Sequence, residues 1–470
     1  MGSAFLPRQG ARHVSGVERP ALQRRLGSGQ LSMIAIGGAI GTGLFLGSGF
    51  AISLAGPAVL VSYAIGGLIA LLLMGCLAEM TVVHPSTGSF GWLAGHYVGG
   101  LAGYLVRYAY WSANVLAVGT EVTAVTIYMR YWVPSLPGWW WILGFSSALV
   151  AINAASVRMF GWVEYAFSSI KIAAILAFLV LGIWTLLRAP PGPAIGIANY
   201  ARFGGFFPHG AGGVWVAVVV SIFSYLGIET IAVAAGEAKD PERAIARALR
   251  ATIGRLGFFY LATLAVMLAV MPWSEAASGT SPFVTVMVAS LVPGAASVMN
   301  LVILIAALSA MNSQIYAATR MLFSIAQAGH APAALGAVNR NGVPLPALLL
   351  SSLGIGLAAM VYVLAPDRAF TVMIAVSMFG AMFTWGMIFV THLCFRAARH
   401  GVRGRFAMWG YPWTSILGLL LMAAILATTI FTVAFRLTLV YGLPFIAVLS
   451  AIYLSRHGAR APAPASGGRR

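Results

Sequence analysis

The sequence predicts an all-α, polytopic membrane protein of about twelve spans, and three observations carry that expectation. Apolar residues make up 60% of the 470 residues and charged ones only 8%, where a soluble domain carries about 25%. The apolar residues fall into runs long enough for a bilayer crossing of ~20 residues, and the mean hydropathy is +0.90. Two of the runs, the first and the sixth, are interrupted by glycine at their middles. Interrupted helices are tolerated at membrane depth only where the loosened backbone is buried in protein or lines a cavity.

Taken in order, residues 1–30 form a tail with Arg8, Arg12, Arg19, Arg24 and Arg25 and no apolar core of a signal peptide. Spans are expected at 31–54, 57–83, 98–129, 139–157, 163–187, 212–235, 253–273, 296–325, 346–366, 371–395, 414–435 and 438–456, with a second tail at 457–470. The first span reads LSMIAIGGAIGTGLFLGSGFAISL, with four glycines between Gly37 and Gly43, a poor way to build a plain anchor. The sixth carries Ser224-Tyr225-Leu226-Gly227-Ile228-Glu229-Thr230 at its middle. If the first ten spans form two repeats of five (31–187 and 212–398, then extra helices over 414–456), these breaks occupy corresponding places. An odd number of spans per repeat inverts the second copy. Paired interrupted helices in two halves are the best sequence pointer to a transporter site. No residue-level repeat accompanies the symmetry.

The net charge of +18 is best explained by topology rather than by nucleic acid. Basic residues gather on the side of the N-terminus: the tail, Arg158, the loop Lys239–Arg255, Arg320, Arg340, the loop Arg396–Arg405 and the C-terminal tail. Arg130, Arg188, Arg202, Arg368 and Arg436 lie on the other side. Both termini are therefore expected in the cytoplasm, and Trp132 and Trp139–Trp141 suit an interfacial belt. The two cysteines, Cys76 and Cys394, offer no disulfide framework and no metal spacing.

Three acidic residues read as lying inside spans: Glu79, Glu121 and Glu229. The rest read as loop residues. Ionisable groups in the bilayer suggest function by default, yet each has a plainer reading. Glu79 is a solvated helix end near His84, Glu229 bridges the halves of span six, and Glu121 is a packing contact beside Thr120, Thr123 and Thr126. Lys171 in span five would snorkel to the interface, although it lies deep for that. Span eight is unusually polar (Ser309, Asn312, Ser313, Gln314), which suits helix packing or a share in an ion site.

GGAIGTGLFLGSG followed by AGPA resembles the amino acid permeases of the amino acid–polyamine–organocation (APC) superfamily. So do AEM (Ala78–Met80), TGSF (Thr87–Phe90), EVTAVTIYMRYWVP, AGEAKDPERAI and NSQIYAATRMLFSIAQAGHAP with NRNGVPLPA. The resemblance covers roughly residues 20 to 455 and is greatest to the proton-coupled branch of aromatic, proline, lysine and γ-aminobutyrate permeases. It implies a five-plus-five inverted repeat (the LeuT-like fold) plus two C-terminal helices, in the cytoplasmic membrane. It also implies an amino acid held between the two breaks. The amides of Thr42 and Gly43 would hold its carboxylate, and the carbonyls of Ala39 and of Phe223, Ser224, Tyr225 and Leu226 its ammonium. Gly41 belongs to the same binding stretch, and Ile40, Tyr225, Glu121 and others on spans three, eight and ten would set the choice of side chain. The resemblance places Lys171 near the Gly37 and Ile40 carbonyls and Ser309, where sodium-driven relatives bind the ion. A protonated amine there would replace the ion and serve as a proton-linked switch.

The partners expected are thus an amino acid, a proton and the bilayer, with no cofactor, metal or nucleic acid. No HExxH, GxSxG or paired aspartates inside spans support an enzyme. A facilitator or exchanger without proton coupling, a channel, and a non-transporting sensor on the same fold stay open, because fold does not fix function. The identity of the substrate is not written in a backbone site.

Overall fold

A backbone in hydrocarbon must satisfy its own amides, which leaves helices as the means of crossing for this composition. A computed structural model describes residues 26–84, 86, 88–188, 195–238, 241–276, 281–365, 368–398 and 406–457, without the side chains of 28, 236 and 241–253. Much of the charge count behind the expected orientation lies outside the described residues: 1–25, Lys239, 399–405 and 458–470.

Span one comprises Ser28–Ala39, Thr42–Phe45 and Gly47–Ala55, unwound at Ile40 and Gly41. Span two is Val59–Val83, span three Gly100–Met129, span four Gly138–Ala155 and span five Val157–Arg188. Span six is split into Gly210–Tyr225 and Thr230–Ala234, and span seven is Pro241–Val270. Span eight is Ala295–Gln327, span nine Leu345–Leu364, span ten Ala369–Ala398, span eleven Trp413–Phe431 and span twelve Arg436–His457. Short helices Ser89–Tyr97 and Pro282–Ala289 flank spans three and eight. Among the described residues nine stretches are long and apolar enough to cross a membrane, Gly47–Val83 counting as one, and Gly29–Phe45 and Gly254–Val270 are shorter apolar helices. The fold class is the one expected, an all-α polytopic membrane protein with its first and sixth spans discontinuous.

Two starts differ from expectation for one reason: a hydropathy window stops at charge, whereas a helix does not. Span five begins at Val157, and span seven begins at Pro241 with a basic first stretch. Span three lies at the centre, packed most extensively on spans eight and ten. Burial follows: 83% of the apolar window of span six is buried, against 17% for span twelve. The exposed Val180, Leu353 and Leu420 belong to peripheral spans and suit contact with lipid.

The two breaks cross backbone to backbone. Gly227 has φ +98°, and a Cβ added there would strike the carbonyl of Gly38. A Cβ on Gly38 would stand 3.0 Å from the Gly227 oxygen. Only glycine permits that approach.

Three expectations about charge are corrected. Glu79 is not a solvated helix end: it is 5% exposed and accepts from the Met408 amide at 2.7 Å. Arg396 grips it at 2.7 and 2.8 Å, and His392 Nε2 lies 3.1 Å away. Spans two and ten are thereby tied to the segment before span eleven. Glu237, read as a loop residue, and Arg320, counted only toward the cytoplasmic charge, form a buried ion pair at 2.8 Å, with Tyr316 donating to the same carboxylate oxygen at 3.0 Å. The guanidinium lies over the Tyr316 ring, which stacks on Phe160. Glu164, also read as a loop residue, is fully buried in span five. Beside the Arg320 pair, the chain at Leu26 makes a parallel bridge with Ala238, its amide 3.0 Å from the Glu237 carbonyl.

Removing one member of a buried ion pair leaves the other uncompensated, at a cost of about 3–5 kcal/mol. Glu237→Ala is therefore expected to lower the thermal unfolding temperature of the detergent-solubilised protein by several degrees. An unchanged melting curve would mean that Arg320 finds solvent or another acceptor.

Candidate functional site

The unwinding of span one follows from its glycines. Ile40 (ψ 88°) and Gly41 (φ −129°, ψ −152°) leave the helical region, which releases carbonyls that a continuous helix would use. A cation from span five takes two of them. Lys171 Nζ donates to Gly37 O at 2.6 Å, to Ile40 O at 2.9 Å and to Ser309 Oγ at 2.8 Å. The lysine is fully buried, so its side chain does not snorkel. Each of its three donors is used.

Behind it stands the counter-charge that the sequence reading missed. Ser309 Oγ accepts from Lys171 and donates to Glu164 Oε1. Asn312 Nδ2 donates to Glu164 Oε2 at 2.9 Å and is itself oriented by Asn153 at 2.8 Å. A Cβ at Gly37 would collide with the Glu164 carboxylate, which gives that glycine a second reason to be there. A signal was available. Glu164 and Lys171 are seven residues apart, two turns along one helix face.

The second part of the site is a cavity where the breaks meet span three. Gly38, Ala39, Gly41 and Gly43 of span one line it, with Phe223, Leu226, Gly227 and Glu229 of span six. Tyr110, Asn114 and Glu121 of span three, Gln314 of span eight, and Ser377 and Ala381 of span ten complete the polar and small walls. The expected residues Ala39, Gly41, Gly43, Phe223, Leu226 and Glu121 thus come together. Gly37 and Ser309 belong to the Lys171 site next to it.

Ile40, Thr42, Ser224 and Tyr225 are not among the lining residues. The Ser224 hydroxyl lies 2.9 Å from Tyr63 Oη, and Tyr225 Oη donates to the Tyr63 carbonyl at 3.2 Å. Both side chains face span two. Thr42 reaches a lining residue through its backbone: its amide donates to Glu121 Oε2 at 3.4 Å. Glu229 caps the break of span six, accepting from the Gly227 amide at 3.1 Å and from Trp385 Nε1 at 3.3 Å. It ties the break to span ten rather than one half of span six to the other, and it also lines the cavity. No lysine, arginine or histidine is among the lining residues. Two carboxylates and several uncharged polar groups give this cavity the chemistry of a site for a ligand with a cationic group.

A second, mostly apolar cavity lies beside the first. Leu46 and Phe50 of span one, Ile127, Val220, Phe370, Ile374, Met378 and Phe435 line it, and Phe223 borders both cavities. Phe223 is the residue that the two linings share.

Comparison with known proteins accords with this geometry. Residues 30–454 match the family model described as amino acid permease. The aromatic amino acid transport protein AroP of Salmonella typhimurium (strain SL1344) is 40% identical over 413 residues, 87% of this chain and 90% of that protein. AroP of Escherichia coli (strain K12) is 39% identical over 436 residues, covering 92% and 95% of the two chains. An uncharacterized amino acid permease of Bacillus subtilis (strain 168), YtnA, is 36% identical over 444 residues, covering 93% and 96%. A multi-pass membrane protein with two crossed helix breaks over a carboxylate-lined cavity, matched over most of its length by such relatives, is a transporter rather than an enzyme: the chain belongs to the amino acid permease family.

Proposed function

We propose that the protein imports amino acids across the cytoplasmic membrane by alternating access, as a proton symporter with both termini in the cytoplasm. The observation that carries the coupling is the Lys171 ammonium on the Gly37 and Ile40 carbonyls. It sits on the backbone of the same break that borders the cavity, so a change of its charge acts directly on the substrate's wall. Ser309 and Glu164 form the other half of the relay.

In this reading the amides of Thr42 and Gly43 receive the substrate carboxylate, where the half-helix offers partial positive charge. The 3.4 Å contact between Glu121 and the Thr42 amide supports it, since a carboxylate is already acceptable there. The carbonyls of Ala39 and of residues 223–226 receive the ammonium. The repeats at 31–187 and 212–398 rock against each other around these breaks. The names of the AroP relatives favour an aromatic amino acid, and an apolar chamber bordered by Phe223 suits such a side chain.

The test is uptake of labelled amino acids into proteoliposomes with and without an inward proton gradient, with the twenty amino acids and γ-aminobutyrate as competitors. Accumulation above equilibrium only with the gradient, blocked best by phenylalanine, tyrosine or tryptophan, is expected. Equilibration that ignores the gradient would favour a facilitator or exchanger, and no uptake at all a sensor.

A further inference from the structure

Tyr260 of span seven is fully buried, and its hydroxyl stands between the ends of the two interrupted helices. It lies 3.0 Å from Ala39 O, where the first part of span one stops, and 2.7 Å from Ser224 O, in the last turn of the first part of span six. A phenol has one proton to donate, so two carbonyls from two different spans share one donor. The shorter contact is to Ser224. Ala39 O also accepts the Gly41 amide at 3.1 Å, and Ala39 lines the cavity whereas Tyr260 does not. The ring is held in place. It packs on Tyr225 and Tyr63 with centroids 4.8 and 6.0 Å away, and the hydroxyls of those two tyrosines tie span two to span six.

We propose that Tyr260 is a positioning residue of the transport site: its hydroxyl clasps the broken ends of spans one and six, fixing the gap between the Ala39 and Ser224 carbonyls. When a substrate ammonium docks on Ala39 O, the phenol keeps its proton on Ser224 O. The Ala39 carbonyl then keeps the Gly41 amide on one lone pair, has the other for the ligand and is held at a set distance. No covalent step or extra proton is involved. The inference rests on the transport reading above and goes beyond it, because Tyr260 never touches the ligand.

The test is Tyr260→Phe, which keeps the ring and removes the clasp, assayed in proteoliposomes with the best substrate of the competition panel. Loss of one hydrogen bond that orders a charged contact predicts a KM about tenfold higher with kcat within about twofold. Two competitors separate positioning from general damage. Inhibition by the substrate's amide, which keeps the ammonium, is expected to weaken about tenfold, and inhibition by the deaminated acid to stay unchanged. Equal weakening of both, or of neither, overturns the proposal. Should Tyr260→Phe fail to reach the membrane folded, fluorotyrosine installed at 260 keeps the shape and strengthens the donor. It must shift the affinity of the amide and spare the acid; affinities unchanged for both also overturn it. A wild-type protein that takes up no amino acid removes the transport reading itself and this inference with it, an outcome distinct from an active wild type with an indifferent Tyr260→Phe.

Discussion

Lys171→Met is expected to abolish accumulation driven by a proton gradient, leaving at most slow equilibration of the amino acid. The ammonium donates to Gly37 O, Ile40 O and Ser309 Oγ, and a thioether supplies none of those donors. Two carbonyls of the break are then buried with one partner fewer, each at about 1–3 kcal/mol. The larger loss lies behind them. Glu164 is fully buried, and without its cation it stands as an uncompensated carboxylate, at about 3–5 kcal/mol.

Two effects are therefore mixed in the single variant, instability and uncoupling, and a second substitution separates them. Lys171→Met combined with Glu164→Gln restores charge balance and is expected to recover much of the lost thermal stability. Gradient-driven accumulation should stay absent. The measurement is a double-mutant cycle read twice, by melting temperature and by uptake, because residues in one network do not add. Full gradient-driven uptake by Lys171→Met would remove Lys171 from the coupling scheme.

Gly227→Ala is expected to reduce transport at least a hundredfold. Its φ of +98° is a conformation that side-chain-bearing residues rarely adopt, at about 1–3 kcal/mol. The new Cβ would also strike the backbone carbonyl of Gly38 rather than the tip of a flexible side chain. The walls must then part, and with them the carbonyls on both sides of the cavity. Gly356→Ala on span nine, where an added Cβ meets nothing within 4 Å, is the control and should transport normally. Normal uptake by Gly227→Ala would mean that the contact of the breaks is incidental.

The fold was largely legible because membrane helices announce themselves through composition, and the breaks through glycines in the middle of otherwise apolar runs. Family motifs supplied what spacing could not, namely that Lys171 would lie near Gly37, Ile40 and Ser309; the structure has all three within hydrogen-bond reach of its ammonium. What escaped has physical reasons. Glu164 stands near the start of its span, where a hydropathy window reads a carboxylate as the border. Glu237 looks like a loop charge, and Arg320 like a cytoplasmic one, because their pairing spans distant parts of the chain. The facing of Ser224 and Tyr225 was not legible, since a helix about to unwind offers no period to extrapolate. Tyr260 looked like one more aromatic in an apolar run. Only its distance to two carbonyls singles it out.

The bridge between Leu26 and Ala238 has a mechanical consequence. It joins the residue that leads into the first interrupted helix to the stretch that follows the second, with the Leu26 amide donating to the Glu237 carbonyl at 3.0 Å. Together with the crossing of Gly38 and Gly227, it gives the two broken helices backbone contacts at two separate places along their length. In the proposed transport cycle, opening toward that face would require this bridge to release or both helices to travel together, which would make the stretch just ahead of the first span part of the moving machinery.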